Sequence, residues 1–165
     1  MNMVKGVVWK YGKDVNTDVI LPGRYLDSYE PEYLASHAME DLDKTFAKGV
    51  KKGDIVVAES NFGCGSSREQ AASCLGYCGV QAVVAKSFSR LFYRNAINQG
   101  IAVIESPECV DALNKGDQVD FDLLGGTIKN LTTGKTLKFR PLPAFVMEIL
   151  EAGGLVEHLK KKMAK

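Results

Sequence analysis

The sequence predicts an α/β fold: a parallel βαβ core with a small antiparallel meander. Short apolar runs at Ile55–Ala58, Ala82–Ala85 and Ile101–Ile104 alternate with helix-compatible segments at 68–78 and 89–98. That alternation is the pattern of βαβ units on a parallel sheet. From Gln118 the period changes to two, as in Val119-Asp120-Phe121-Asp122-Leu123, which suits strands with one covered face. Between the first core strand and its helix lies a glycine-rich turn, Asn61-Phe62-Gly63-Cys64-Gly65-Ser66-Ser67-Arg68-Glu69-Gln70.

The elements follow in order. Val4 to Trp9 alternates weakly and is expected to be a strand. Asp14 to Tyr25 is expected to be a loop, punctuated by Pro22 and Gly23. A helix should start around Ser28–Pro31, because Leu34, Ala38, Leu42 and Phe46 recur every four residues until Gly49 ends the run. The βαβ core follows, and Gly100 closes its second helix. Gly125-Gly126 turns the chain after 119–123, and 127–131 and 136–139, separated by Thr133-Gly134-Lys135, complete the meander. Pro141 and Pro143 introduce a last helix with Phe145, Met147, Ile149 and Leu150, which Gly153-Gly154 interrupts. There is no internal repeat or low-complexity linker, so residues 1–165 are read as one domain.

An apolar content of 45% and a charged content of 25% are those of an ordinary globular chain. A net charge of +1 gives no reason to expect nucleic acid or an anionic membrane as partner. Lys160, Lys161, Lys162 and Lys165 cluster at the C-terminus, where cations suit the end of a solvated helix. No window approaches the ~18 uninterrupted apolar residues of a membrane span, and Met1 to Gly6 lacks the apolar core of a signal peptide. The expected location is the cytoplasm. Cys64, Cys74, Cys78 and Cys109 are separated by nine, three and thirty residues, which matches neither paired zinc knuckles nor ferredoxin runs. They are expected to be reduced thiols that pack as small hydrophobes.

The turn carries the chemistry. Two glycines, two adjacent hydroxyls and an arginine sit where a strand passes into a helix, a place where free amides and the helix dipole favour an anion. Arg68 adds a planar fork suited to a carboxylate or phosphate. The plainer alternative makes Ser67 a helix N-cap and Arg68 a surface residue. His37 and His158 have no serine–carboxylate arrangement nearby, which argues against a serine triad. Arg90, Arg94 and Asn95 share a helix and are read as ion-pair residues at a buried or interfacial position.

Three separated motifs occur in order: Asn16-Thr17-Asp18-Val19-Ile20 with Pro22 and Tyr25-Leu26; 61–69; and Ser87-Phe88-Ser89-Arg90-Leu91-Phe92-Tyr93-Arg94-Asn95-Ala96-Ile97-Asn98. On these the chain resembles the 3-isopropylmalate dehydratase small subunits of the aconitase superfamily, over nearly its whole length. The resemblance implies a swivelling β/β/α domain like the C-terminal domain of aconitase. It also implies a separate large subunit that carries a [4Fe-4S] cluster on three cysteines of its own, with no cofactor bound by this chain. Cys64 would then lie near the cluster without binding it.

By the same resemblance Ser66 is the base, acting as an alkoxide, while Ser67 and Arg68 hold a substrate carboxylate. Asp18 matches an active-site aspartate, which would orient a partner side chain or stabilise its own turn. Glu69 is expected to be structural. The family most often has histidine where this chain has Gln70, a change expected to alter a supporting contact. Substrate choice is expected to rest on the loop Tyr25-Leu26-Asp27-Ser28. Homoaconitase-type relatives place an arginine where Asp27 stands, and an aspartate there repels a third carboxylate. Arg24 is a further candidate contact. A dicarboxylate with an apolar arm, such as isopropylmalate, fits best. The alternatives are 2,3-dimethylmalate, citramalate or homoaconitate, and a non-catalytic anion-binding module.

Overall fold

A computed structural model of the chain describes residues 3–164. Met1, Asn2 and Lys165, which belong to the terminal segments read above, lie outside the described residues. Strand β1 (Met3–Lys10) leads through α1 (Thr17–Ile20) and a 3-10 turn (Gly23–Tyr25) to the short helices α2 (Pro31–Ser36) and α3 (Phe46–Gly49). The core follows as β2 (Ile55–Ala58), α4 (Glu69–Tyr77), β3 (Ala82–Ala85), α5 (Arg90–Asn98), β4 (Ala102–Glu105) and α6 (Pro107–Ala112). Strands β5 (Gln118–Asp122), β6 (Thr127–Asn130) and β7 (Thr136–Lys138) precede the terminal helices α7 (Ala144–Ala152) and α8 (Leu155–Met163).

All strands join one sheet in the order β4-β3-β2-β1-β5-β6-β7. Strands β1 to β4 are parallel neighbours, and β2 and β3 are buried at every position because helices cover both faces. The meander is continuous with the parallel core through β1 and β5. Strand β1 splits its length between two partners: Met3–Val7 pairs antiparallel with β5, and Val8–Lys10 pairs parallel with β2. At that division the buried Asp54 accepts from Val7 N (2.9 Å), Trp9 Nε1 (3.0 Å) and Lys51 N (2.9 Å), so its carboxylate staples the two halves.

Helix α4 packs between α2 and α5, α7 packs on α5, and α8 packs on α7. Helix α6 touches both β3 and β7. In a flat sheet those strands would lie about 24 Å apart, whereas six helical residues span about 9 Å. The sheet therefore curls around α6.

Two local expectations give way. The single helix expected up to Gly49 breaks after Ser36. Met39 takes a left-handed φ of 61° and its N–H bonds to Ile20 O at 2.8 Å, which buries Ala38 and Met39 against the preceding loop. The expected loop at 14–25 contains α1, capped by the Asn16 side chain, which accepts from Asp18 N at 2.8 Å.

Candidate active site

The three motifs separated in sequence are laced into one platform. Residues 14–17 run beside 61–64: Gly63 N bonds to Val15 O and Thr17 N to Cys64 O, each at 2.8 Å. Asp14 and Asn61 both adopt left-handed backbone, with φ of 53° and 63°, and Asn61 Nδ2 donates to Asp14 Oδ1 at 3.0 Å. The third motif closes the other side. Ser89 N bonds to Phe62 O at 3.0 Å, its hydroxyl donates to Gly63 O at 2.9 Å, and the buried Phe62 ring meets Phe92 edge-on at 5.0 Å.

Gly65, Ser66 and Ser67 project from this platform into solvent. Their amides donate to no protein group among the described residues. The Ser66 carbonyl is held by two donors, Thr17 Oγ1 and Arg68 N, both at 2.9 Å. The carbonyl side of the turn is thus pinned while its amides and hydroxyls stay available to an anion. Gly65 is required here: its φ is 96°, and a Cβ would lie 2.6 Å from Asn16 Oδ1.

Ser67 does not cap the helix. Helix α4 starts at Glu69 with Arg68 in the cap position and no side-chain cap bond, which leaves the Ser67 hydroxyl uncommitted. Glu69 lies in the first turn and accepts from Gln99 Nε2 at 3.3 Å, as its structural reading requires. Gln70 Nε2 donates to Leu26 O at 3.4 Å, tying the loop at residues 25–28 to α4.

The Arg68 side chain is three-quarters buried. Its Nη1 pairs with Asp18 Oδ1 and lies 3.4 Å from Leu21 O, and its flat face rests beside Gly23. Its Nη2 and Nε have no hydrogen-bond partner among the described residues. The structure therefore sets the Asp18 carboxylate against Arg68 of its own chain, within the platform. Arg24 points elsewhere. It forms two hydrogen bonds with Asp41 and one with Glu40, its guanidinium lies 4.7 Å over the Tyr25 ring, and these residues border a cleft of about 720 Å³ that the Ser66 turn does not line. Asp27 is exposed.

Among the described residues, no group of three or more His, Cys, Asp or Glu side chains converges as a metal-ligand set. The four cysteines are free thiols. Burial pushes Cys78 up to about 12, and raises Cys74 well above the usual thiol range. Cys64, beside the turn, is raised by burial and by the nearby Asp14. Arg90 and Arg94 lie exposed on α5 and form no ion pair among the described residues, which corrects the expectation of a buried pair.

Thr17, Asp14 and Asn61 lie within or beside the motifs, yet nothing in the sequence marks them as supports of the turn. Glu40 and Asp41 carried no sequence signal at all.

The profile of the aconitase C-terminal domain matches residues 22–109, and the curled mixed sheet with its hydroxyl-rich turn and partly buried arginine is an aconitase-type domain. The 3-isopropylmalate dehydratase small subunit of Caldicellulosiruptor bescii is 53% identical over 161 residues, 98% of this chain and 97% of the relative. The isopropylmalate/citramalate isomerase small subunit of Methanocaldococcus jannaschii is 54% identical over 164 residues, 99% of this chain and 98% of the relative. The crystal structure of a 3-isopropylmalate dehydratase from the same organism superposes with a TM-score of 0.92 at 49% identity, covering 98% of this chain and 96% of that one. The chain belongs to the family of 3-isopropylmalate dehydratase small subunits.

Proposed function

We propose that this chain is the small subunit of a hydro-lyase that interconverts 2-isopropylmalate and 3-isopropylmalate by dehydration and rehydration, a step of leucine biosynthesis. The observation that carries this reading is the Ser66–Arg68 turn, with its free amides and half-occupied guanidinium, in a chain more than half identical to a relative of that name. The large subunit is the inferred partner and, by the family resemblance, holds a [4Fe-4S] cluster; the chain's own thiols are assigned to packing.

Ser66 removes the proton on the carbon beside a substrate carboxylate. Its alkoxide takes up that proton, and the electron pair left behind spreads into the carboxylate. Ser67 and the open edge of Arg68 hold that carboxylate as its charge grows. Asp18 fixes the other edge of Arg68 and keeps the fork in plane. When bound, the partner's cluster supplies the Lewis acid for the departing hydroxyl. A solvated serine is a weak base, and Ser66 is exposed in the free chain. Stabilisation of its alkoxide therefore needs the turn's amides and a partner that excludes water.

The aspartate at 27 disfavours a third carboxylate, which leaves malates with a small apolar arm. Citramalate is the second reading, favoured by the name of the Methanocaldococcus jannaschii relative. We place the protein in the cytoplasm; no helix of the described residues is long and apolar enough to cross a membrane.

Assembly with the large subunit of the same enzyme, followed by a screen of isopropylmalate, citramalate, 2,3-dimethylmalate and homoaconitate, tests the proposal. The highest kcat/KM is expected for isopropylmalate. Dicarboxylate binding with no turnover would instead support an anion-binding module. The chain purified alone should be colourless. Stoichiometric iron and sulfide, lost on mutation of Cys74 and Cys78, would overturn the assignment of the cluster to the partner.

A further inference from the structure

The loop read as setting substrate choice is held from both sides. On one side Arg24 Nη1 and Nη2 grip Asp41 at 3.0 and 2.7 Å, and Nη2 also donates to Glu40 Oε2 at 2.9 Å. The Tyr25 hydroxyl donates to the same Glu40 oxygen. The Tyr25 ring stacks on His37 with centroids 3.7 Å apart and planes 8° from parallel, and His37 Nδ1 lies 3.4 Å from Glu40 Oε1. On the other side Gln70 and Arg68 reach the carbonyls of Leu26 and Leu21. Residues 21–28 are suspended between α4 and the segment 37–41.

We propose that Glu40 and Asp41 are positioning residues for substrate selection: they hold Arg24 and Tyr25, and through them fix the loop that shapes the pocket for the substrate's variable arm. Arg24 is then a latch and not a substrate ligand. This rests on the substrate reading proposed above. Two carboxylates already surround the guanidinium, so a substrate carboxylate brought to Arg24 would meet their repulsion. Glu40 is kept ionised by the Tyr25 hydrogen bond and Asp41 by Arg24, each carboxyl being held below its ordinary range. Half-exposed ion pairs contribute little stability one by one. Their effect here is geometric, because a loop ordered before the substrate arrives need not be ordered by it.

Charge reversal separates a latch from a ligand. Arg24→Glu, Asp41→Arg and the double variant are compared in two measurements. The first is hydrogen exchange at the Tyr25 and Leu26 amides of the isolated chain, which bond to Pro22 O and Gly23 O. Each single variant should speed exchange roughly tenfold, and the double variant should restore most of the protection. The second is the ratio of kcat/KM for isopropylmalate over citramalate in the assembled enzyme. The single variants should shift it roughly three- to tenfold, mainly through KM, and the double variant should return it towards the wild-type value. Unchanged exchange in both single variants would overturn the latch. Restored exchange with selectivity still lost would show that Arg24 touches substrate. Failure of the wild-type enzyme to turn over either acid would sink the substrate reading, while exchange would still judge the latch.

Discussion

The Thr17 hydroxyl donates to the Ser66 carbonyl at 2.9 Å, so the first loop of the chain holds the backbone of the proposed base. Thr17 is buried, and nothing else among the described residues performs this task except the Arg68 amide. Thr17→Val should cost about 1 kcal/mol of stability, the net worth of a hydrogen bond. It should lower kcat of the assembled enzyme about tenfold, because the turn is freed to move. Thr17→Ser keeps the donor and should retain most of the activity. Equal losses in the two variants, measured by steady-state kinetics, would mean that the methyl group matters and the hydroxyl does not.

Arg68→Lys should damage binding nearly as much as Arg68→Ala. A point charge cannot serve Asp18 and a substrate carboxylate along two edges at once. Asp18→Asn should raise KM more than it lowers kcat, since it loosens the fork without removing it. A fully active lysine variant would reduce Arg68 to a general positive charge.

Gly65→Ala introduces a Cβ at 2.6 Å from Asn16 Oδ1 at a φ of 96°. The strain is expected to be about 1–3 kcal/mol. A lowered melting temperature should accompany loss of turnover, since relief requires Asn16 to abandon its cap of Asp18. A variant with normal stability and activity would show that the turn is more pliable than its hydrogen bonds imply.

Stability should decline on the alkaline side. Burial raises the Cys78 thiol to about 12 and the Tyr11 phenol above its usual range, while Glu59 and Asp111 raise the Lys86 ammonium. Each group is kept protonated by the fold, so the stability it contributes is present below its unfolded pKa and is lost as pH rises towards the folded value. For Cys78 that window runs from about 8.5 to 12. The urea midpoint should fall between pH 8 and pH 10, and native Cys74 and Cys78 should resist alkylation until the chain unfolds. A midpoint that rises across that interval would contradict the assigned environments.

Asp27→Arg should raise the kcat/KM ratio for homoaconitate over isopropylmalate. The change replaces repulsion of a third carboxylate by attraction, worth about 1–3 kcal/mol in a partly hydrated site. An unchanged ratio in a folded variant would show that this exposed side chain points away from the pocket.

The parallel core was legible because fully buried strands must be continuous apolar runs; β2 and β3 fall at the predicted residues. The single helix expected from Ser28–Pro31 to Gly49 breaks for a physical reason. Four-residue spacing reports which side chains are buried, and Ala38 and Met39 reach the core through a turn that Ile20 O secures from a distant segment. Helix α6 has a local signal in the sequence, since Ser106 caps it and Pro107 opens it. The exposed turn at Gly65–Ser67 was legible by its residue types. The pairing of Asp18 with Arg68, and of Arg24 with Glu40 and Asp41, arises only when separate loops meet, so no spacing encodes it.

Ser66→Ala in the assembled enzyme decides the role of the turn. Substrate binding and steady-state turnover of 2-isopropylmalate are measured on the same preparation, beside the wild-type chain. If Ser66 is the base, turnover falls by about three orders of magnitude or more while the substrate still binds, because Ser67, Arg68 and the amides of the turn remain. Turnover within a few-fold of wild type would contradict the assignment and move the proton transfer to the large subunit.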